Sequence, residues 1–177
     1  MVRHIGEGSY PVPSFYVRAG GSVYLVTCGH CNLDYDFLEL VCREQPGSPY
    51  PEYTIYRVTD IGRAIQSISP RFPDEKGWVA AISRFVVARV SAFDIDNNIV
   101  TSSHECRCTE YGTIRVPRSG LEGSITSGKT VFIDTPWGRM IIGLMSYADD
   151  QYVWITPAEL VVRKIEELAG EPAVPFC

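Results

Sequence analysis

From Ser14 to Ile155 the chain is a succession of short apolar or alternating runs, four to seven residues each, broken by glycine- and proline-bearing turns. Runs of that length suit strands and are too short for most helices. They are Ser14–Arg18, Ser22–Thr27, Phe37–Arg43, Thr54–Val58, Trp78–Ile82, Phe85–Val90, Ile99–Ser103, Gly112–Val116, Thr130–Ile133, Arg139–Met145 and Tyr152–Ile155. Helical patterns do not alternate with them, so a parallel sheet is not expected. Ala19-Gly20-Gly21 between the first two runs marks a hairpin. Gln45–Pro51, with three prolines and a glycine, and Ile68–Lys76, with two prolines, read as loops. One helix is predicted, over residues 157–169. Thr156-Pro157-Ala158-Glu159 is a capping box with proline at the first helical position, and Gly170 is a stop. Leu160, Val161, Ile165 and Leu168 would form its apolar face. The expected fold is therefore all-β, built of antiparallel barrels joined near Ala88, with a C-terminal helix.

The length of 177 residues fits one domain or two small barrels, and 45% apolar with 21% charged residues is ordinary globular usage. A net charge of -5 argues against a dedicated nucleic-acid binder. No apolar run is long enough to span a bilayer, and Met1–Gly8 does not read as a secretory signal. Neither a nucleic-acid nor a membrane partner is expected, and a cytoplasmic or host-intracellular location is the default reading. Thirteen arginines, three lysines and few amides are compatible with a thermophilic source, where six cysteines could include intracellular disulfides.

The run Val23-Tyr24-Leu25-Val26-Thr27-Cys28-Gly29-His30-Cys31 sets a histidine just past a strand end, where a base is useful. The blander reading is a surface loop histidine. Cys28-Gly29-His30-Cys31 is also a CxxC, which at a helix N-terminus would exchange disulfides. The following residues start poorly as a helix. A four-thiolate zinc site from Cys28, Cys31, Cys106 and Cys108 is a further reading, with a short CxC second pair; the simpler reading of Cys106 and Cys108 is disulfide partners or buried apolar residues.

Phe15-Tyr16-Val17, the Gly-Gly turn and Thr27-Cys28-Gly29-His30-Cys31 resemble the first hairpin and histidine-bearing strand end of trypsin/chymotrypsin-like serine peptidases. Thr126-Ser127-Gly128-Lys129-Thr130-Val131-Phe132 resembles the nucleophile region of that family, and Gly143-Leu144-Met145-Ser146 the strand that follows it. The resemblance implies two antiparallel six-stranded β-barrels, residues 1–88 with the histidine and acid and residues 89–177 with the serine and helix. It implies a serine endopeptidase acting on polypeptides without a cofactor or metal. His30 would be the general base, Asp74 the acid and Ser127 the nucleophile. The N–H groups of Ile125, which stands where members carry glycine, and of Ser127 would form the oxyanion hole. Asp60 is the fallback acid, while Asp94 and Asp96 fall in the second barrel. A rival frame aligns Gly120-Leu121-Glu122-Gly123-Ser124 with the nucleophile motif, glutamate replacing serine, and implies an inactive, partner-binding relative. Ser119 fits worst, because Pro117 lacks the N–H the hole needs. Leu144, Met145 and Ser146 would line the substrate pocket, with an apolar or aromatic preference. The family pattern would pair Cys31 with Cys42. A thiol-disulfide oxidoreductase using Cys28 and Cys31 is the remaining reading.

Overall fold

The structure is a computed structural model that describes residues 3–4, 12–70, 85–93, 99–136 and 138–175. Its strands are β1 (Arg3–His4), β2 (Phe15–Ala19), β3 (Ser22–Thr27), β4 (Leu38–Glu44), β5 (Tyr53–Val58), β6 (Phe85–Phe93), β7 (Ile99–Cys108), β8 (Ile114–Pro117), β9 (Thr130–Thr135), β10 (Gly138–Ala148), β11 (Tyr152–Pro157) and β12 (Val174–Pro175). Two helices, α1 (Ile61–Ser67) and α2 (Ala158–Ala169), complete the described elements with a 3-10 turn at Glu122–Ser124. The fold is all-β with a C-terminal helix, as the turn-punctuated runs imply. The run Trp78–Ile82 lies outside the described residues.

Every pairing in the two sheets is antiparallel. In the larger sheet, β10, β11, β8, β7, β6 and β9 pair in turn and β9 returns to β10, which closes a barrel. The smaller sheet has the order β12-β2-β3-β5-β4 and is open among the described residues. A division at residue 88 would fall inside β6, which pairs with β7 from Phe85↔Arg107 to Phe93↔Ile99. The two ends cross over: β1 joins β10 of the larger sheet, and β12 joins β2 of the smaller one.

Local chemistry explains the elements. Gly20 and Gly21 have φ of 59° and 75°, the left-handed pair that a two-residue hairpin with native strand twist requires. The run Val23–Val26 is apolar throughout because β3 is buried on both faces. Val23 and Leu25 pack with Tyr16, Phe37, Tyr56 and Ala64. Tyr24 and Val26 pack with Phe132, Ile141 and Leu144 of the other sheet and with Val161 and Ile165 of α2. The helical face is Ala158, Val161 and Ile165, all fully buried, whereas Leu160 and Leu168 are exposed. At about 100° per residue, position 160 falls off the stripe that 158, 161 and 165 share, whereas Leu168 stays on its side of the helix and is exposed in the last turn. Helix α2 ends at Gly170 as expected, but its N-cap is Pro157, with no side-chain cap bond. The Thr156 hydroxyl is engaged elsewhere. Helix α1 is unanticipated. Its N-cap is Asp60, whose carboxylate accepts from the Arg63 N–H at 3.1 Å.

Candidate active site

Three chain segments that are far apart in sequence meet at one point. The first is the turn after β3, which carries His30. Gly29 is required there, because a Cβ would lie 2.6 Å from the Glu44 carbonyl oxygen and 2.6 Å from the Glu52 Cβ. The turn closes through the Cys31 N–H to the Cys28 carbonyl (3.2 Å), which also accepts from the Thr54 hydroxyl (3.0 Å).

The second segment is the end of the proline-rich loop, where Glu52 directly precedes β5. Its side chain is fully buried, and a buried carboxylate is stable only when paired and hydrogen-bonded. One oxygen, Oε1, is hydrogen-bonded to Nδ1 of His30. The other accepts from the Tyr147 hydroxyl at 3.2 Å. Burial, the Glu52 charge and that hydrogen bond all push the Tyr147 phenol upward, so it remains a donor. The Glu52 backbone is pinned by Thr156. Its hydroxyl donates to the Glu52 carbonyl (2.8 Å), accepts from the Glu52 N–H (3.0 Å) and takes a third bond from Ser146 Oγ (2.7 Å). This is why Thr156 does not cap α2.

The third segment is the loop before β9, which carries Ser127. Gly128 has φ 89°, and a Cβ there would lie 2.1 Å from the Val12 carbonyl oxygen, so no other residue fits the bend. The bend is anchored by the Gly128 N–H to the Met145 carbonyl (2.9 Å) and the Met145 N–H to the Lys129 carbonyl (2.9 Å). It sets Ser127 Oγ 2.9 Å from Nε2 of His30. With Nδ1–H directed at Glu52, Nε2 is the acceptor for the serine hydroxyl. Ile125 has φ -77° and ψ 102°, an ordinary backbone for a β-branched residue, and packs against the larger barrel's core.

The arrangement therefore unites His30 with Ser127, and the carboxylate on the imidazole is Glu52. Asp74, Asp94 and Asp96 lie outside the described residues. Asp60 is an exposed helix cap and not a partner of His30. In the rival frame, Ser124 is buried with its hydroxyl tied to the Leu121 carbonyl (2.7 Å). Leu144, Met145 and Ser146 are fully buried, because β10 is covered on both faces. Leu144 lies in the core shared by the sheets and Met145 in the barrel interior, while Ser146 serves the Thr156 network.

The cysteines correct an expectation. Cys28 pairs with Cys31, their Cα atoms 5.3 Å apart, and Cys42 is outside any disulfide. Cys42 sits instead on β4 opposite Ile55. The residues after Cys31 run as a loop to β4, so this CxxC lacks the helix that would activate its thiols. Cys106 and Cys108 belong to the larger barrel and are not part of the Cys28–His30–Cys31 cluster.

Glu52 is the carboxylate at this candidate site that no local sequence motif marks. Its signal is a carboxylate directly before the strand that pairs with the histidine's own strand, Thr27 standing opposite Thr54.

No protein-family model and no curated protein matches the chain. Solved structures do. A glutamic-acid-specific serine protease that utilises a histidine triad in substrate binding is 18% identical, with 98% of this chain and 97% of that one covered and a TM-score of 0.52. The NS6 protease of murine norovirus 1 is 12% identical over 84% of this chain and 92% of that one, with a TM-score of 0.45. An inactive mutant of the murine norovirus NS6 protease with a C-terminal extension is 11% identical over 76% and 83%, with a TM-score of 0.47. The sheet architecture and the near full-length likeness to the glutamic-acid-specific serine protease give this chain a trypsin/chymotrypsin-like protease fold.

Proposed function

We propose that the chain is a serine endopeptidase in which His30 is the general base, Glu52 the carboxylate that orients it and Ser127 the nucleophile. The observation that carries this reading is the 2.9 Å separation of Ser127 Oγ and His30 Nε2, groups 97 residues apart in sequence. A serine hydroxyl attacks a peptide carbonyl only when a base takes its proton as the bond forms. Nε2 is placed to do that and then to return the proton to the leaving amine. Glu52 holds the productive tautomer through Nδ1 and stabilises the imidazolium. Its second oxygen, bonded to Tyr147, leaves no lone carboxylate oxygen facing the apolar interior. The N–H groups of Ile125 and Ser127 are the proposed donors to the oxyanion. The substrate is an extended polypeptide. The serine mechanism named for the glutamic-acid-specific protease is in keeping with this reading and leaves the side-chain preference of this chain open.

A fluorophosphonate probe is expected to label the full-length chain at Ser127, as mapped by peptide mass spectrometry. Ser127→Ala and His30→Ala are expected to abolish labelling and to lower kcat on an unfolded protein substrate by on the order of 10^6-fold. A folded chain that reacts with no probe, or reacts at another serine, returns the protein to the class of inactive, partner-binding relatives.

A further inference from the structure

The histidine is enclosed by a disulfide. Cys28 and Cys31 are bonded to each other on either side of it, and both are buried. Cys28 Sγ lies 3.8 Å from His30 Nε2, and the two sulfurs and one imidazole nitrogen all fall within 4.8 Å of one another. A tetrahedral zinc ion with Zn–S of about 2.3 Å and Zn–N of about 2.0 Å holds its ligand atoms roughly 3.5–3.8 Å apart. The spacing of the Cys28 sulfur from Nε2 lies at the upper end of that range.

Two features make these atoms a ligand set once the sulfurs are no longer bonded to each other. The first is that the backbone does not depend on the disulfide. The Cys31 N–H to Cys28 carbonyl bond, the Thr54 hydroxyl on the Cys28 and Gly29 carbonyls, and Arg43 on the Cys31 carbonyl (3.2 Å) hold the turn through groups other than the sulfurs. The second is the carboxylate on Nδ1. A zinc-bound histidine characteristically donates its other ring N–H to a carboxylate, which orients the ring and raises its basicity. Glu52 does this for His30 and leaves Nε2 as the ligating nitrogen.

We propose that Cys28, His30 and Cys31 form a zinc(II) site that exists only in the reduced protein. A small dithiol reduces the Cys28–Cys31 bond to two thiols and is itself oxidised to a disulfide. Zinc then binds both sulfurs as thiolates and the neutral imidazole through Nε2, releasing two protons, with water in the fourth position. Transfer of two electrons from the thiolates to an external disulfide re-forms the Cys28–Cys31 bond and frees the metal. Nε2 is also the atom that would take the Ser127 proton. On the peptidase reading, therefore, reduction with zinc switches the enzyme off and reoxidation switches it on.

The test uses the full chain, oxidised or reduced with a phosphine and desalted without oxygen. Zinc is titrated against a chromogenic chelator, and cobalt(II) substitutes as a spectroscopic probe. One zinc per reduced chain, none per oxidised chain, and thiolate-to-cobalt charge-transfer absorption are expected. Cys28→Ser and His30→Asn should each lose the equimolar binding, and Cys42→Ala should keep it, with far-UV circular dichroism confirming the fold. The same titration in Ser127→Ala reads the site without any activity, so failure of the peptidase reading leaves it standing. Reduced wild-type chain that takes up no equimolar zinc overturns the proposal, as does equal uptake by oxidised chain or by folded Cys28→Ser.

Discussion

At the residue scale, the site turns on which carboxylate reaches the imidazole. His30 and Ser127 are visible in the sequence because each stands in a local pattern, a strand end and a Ser-Gly bend. An acid has no such pattern, since all it requires is an oxygen within hydrogen-bond reach of Nδ1. The family resemblance points to Asp74, whereas Glu52 is placed by the pairing of β3 with β5. Glu52→Gln is expected to keep the fold but lower kcat on the order of 10^4-fold at neutral pH, by favouring the wrong imidazole tautomer. Glu52→Asp, which keeps the charge but retracts it by one methylene, should lose less. Steady-state kinetics on the two variants decide it: a loss of less than about tenfold in Glu52→Gln would mean that this carboxylate does not orient the base.

At the scale of elements, the strands of the smaller sheet bury phenols. The Tyr16 hydroxyl on β2 bonds the Ile68 carbonyl at 2.8 Å, and burial pushes its pKa up from 10 to about 12. Tyr53 on β5 is pushed up to about 12, again mainly by burial. Below pH 10 these groups are protonated whether the chain is folded or not, and their burial is not opposed by ionisation. Between about pH 10 and 12 the unfolded chain releases the protons while the folded chain keeps them, so stability falls as pH rises across that window. Urea unfolding at stepped pH should show that decline, and Tyr16→Phe should make it shallower. An unchanged slope in Tyr16→Phe would mean that this phenol is not the buried group it is taken to be. The hairpin, the prolines of the loop before β5 and the Gly170 stop were legible because they act on neighbouring residues. Helix α1 was not, because its seven residues carry too little periodicity.

At the scale of the whole molecule, the two sheets share one core. Phe15, Val17, Val26 and Ile55 of the smaller sheet pack with Phe132, Ile141 and Leu144 of the larger one, and α2 lays Val161 and Ile165 against both. The crossed termini add to the coupling, as does the bond between Ser14 Oγ and Thr130 Oγ1 (2.9 Å). The described halves are thus expected to unfold together. Ile165→Ala should cost about 2–5 kcal/mol and move the near-UV and far-UV dichroism transitions by the same amount. Two separated transitions would show that the sheets are independent. The sequence by itself determined the strand-rich class, the hairpin and the closing helix, and it marked His30 and Ser127 as candidate residues. Those features depend on periodicity and turn chemistry, which act over a few residues. Tertiary structure decided that Glu52 meets His30, that Cys28 bonds Cys31, that Thr156 serves the site and not the helix, and that β6 belongs wholly to the larger sheet. Each of these is a distance between groups set by sheet register and burial, and such distances exist only once the chain has closed on itself.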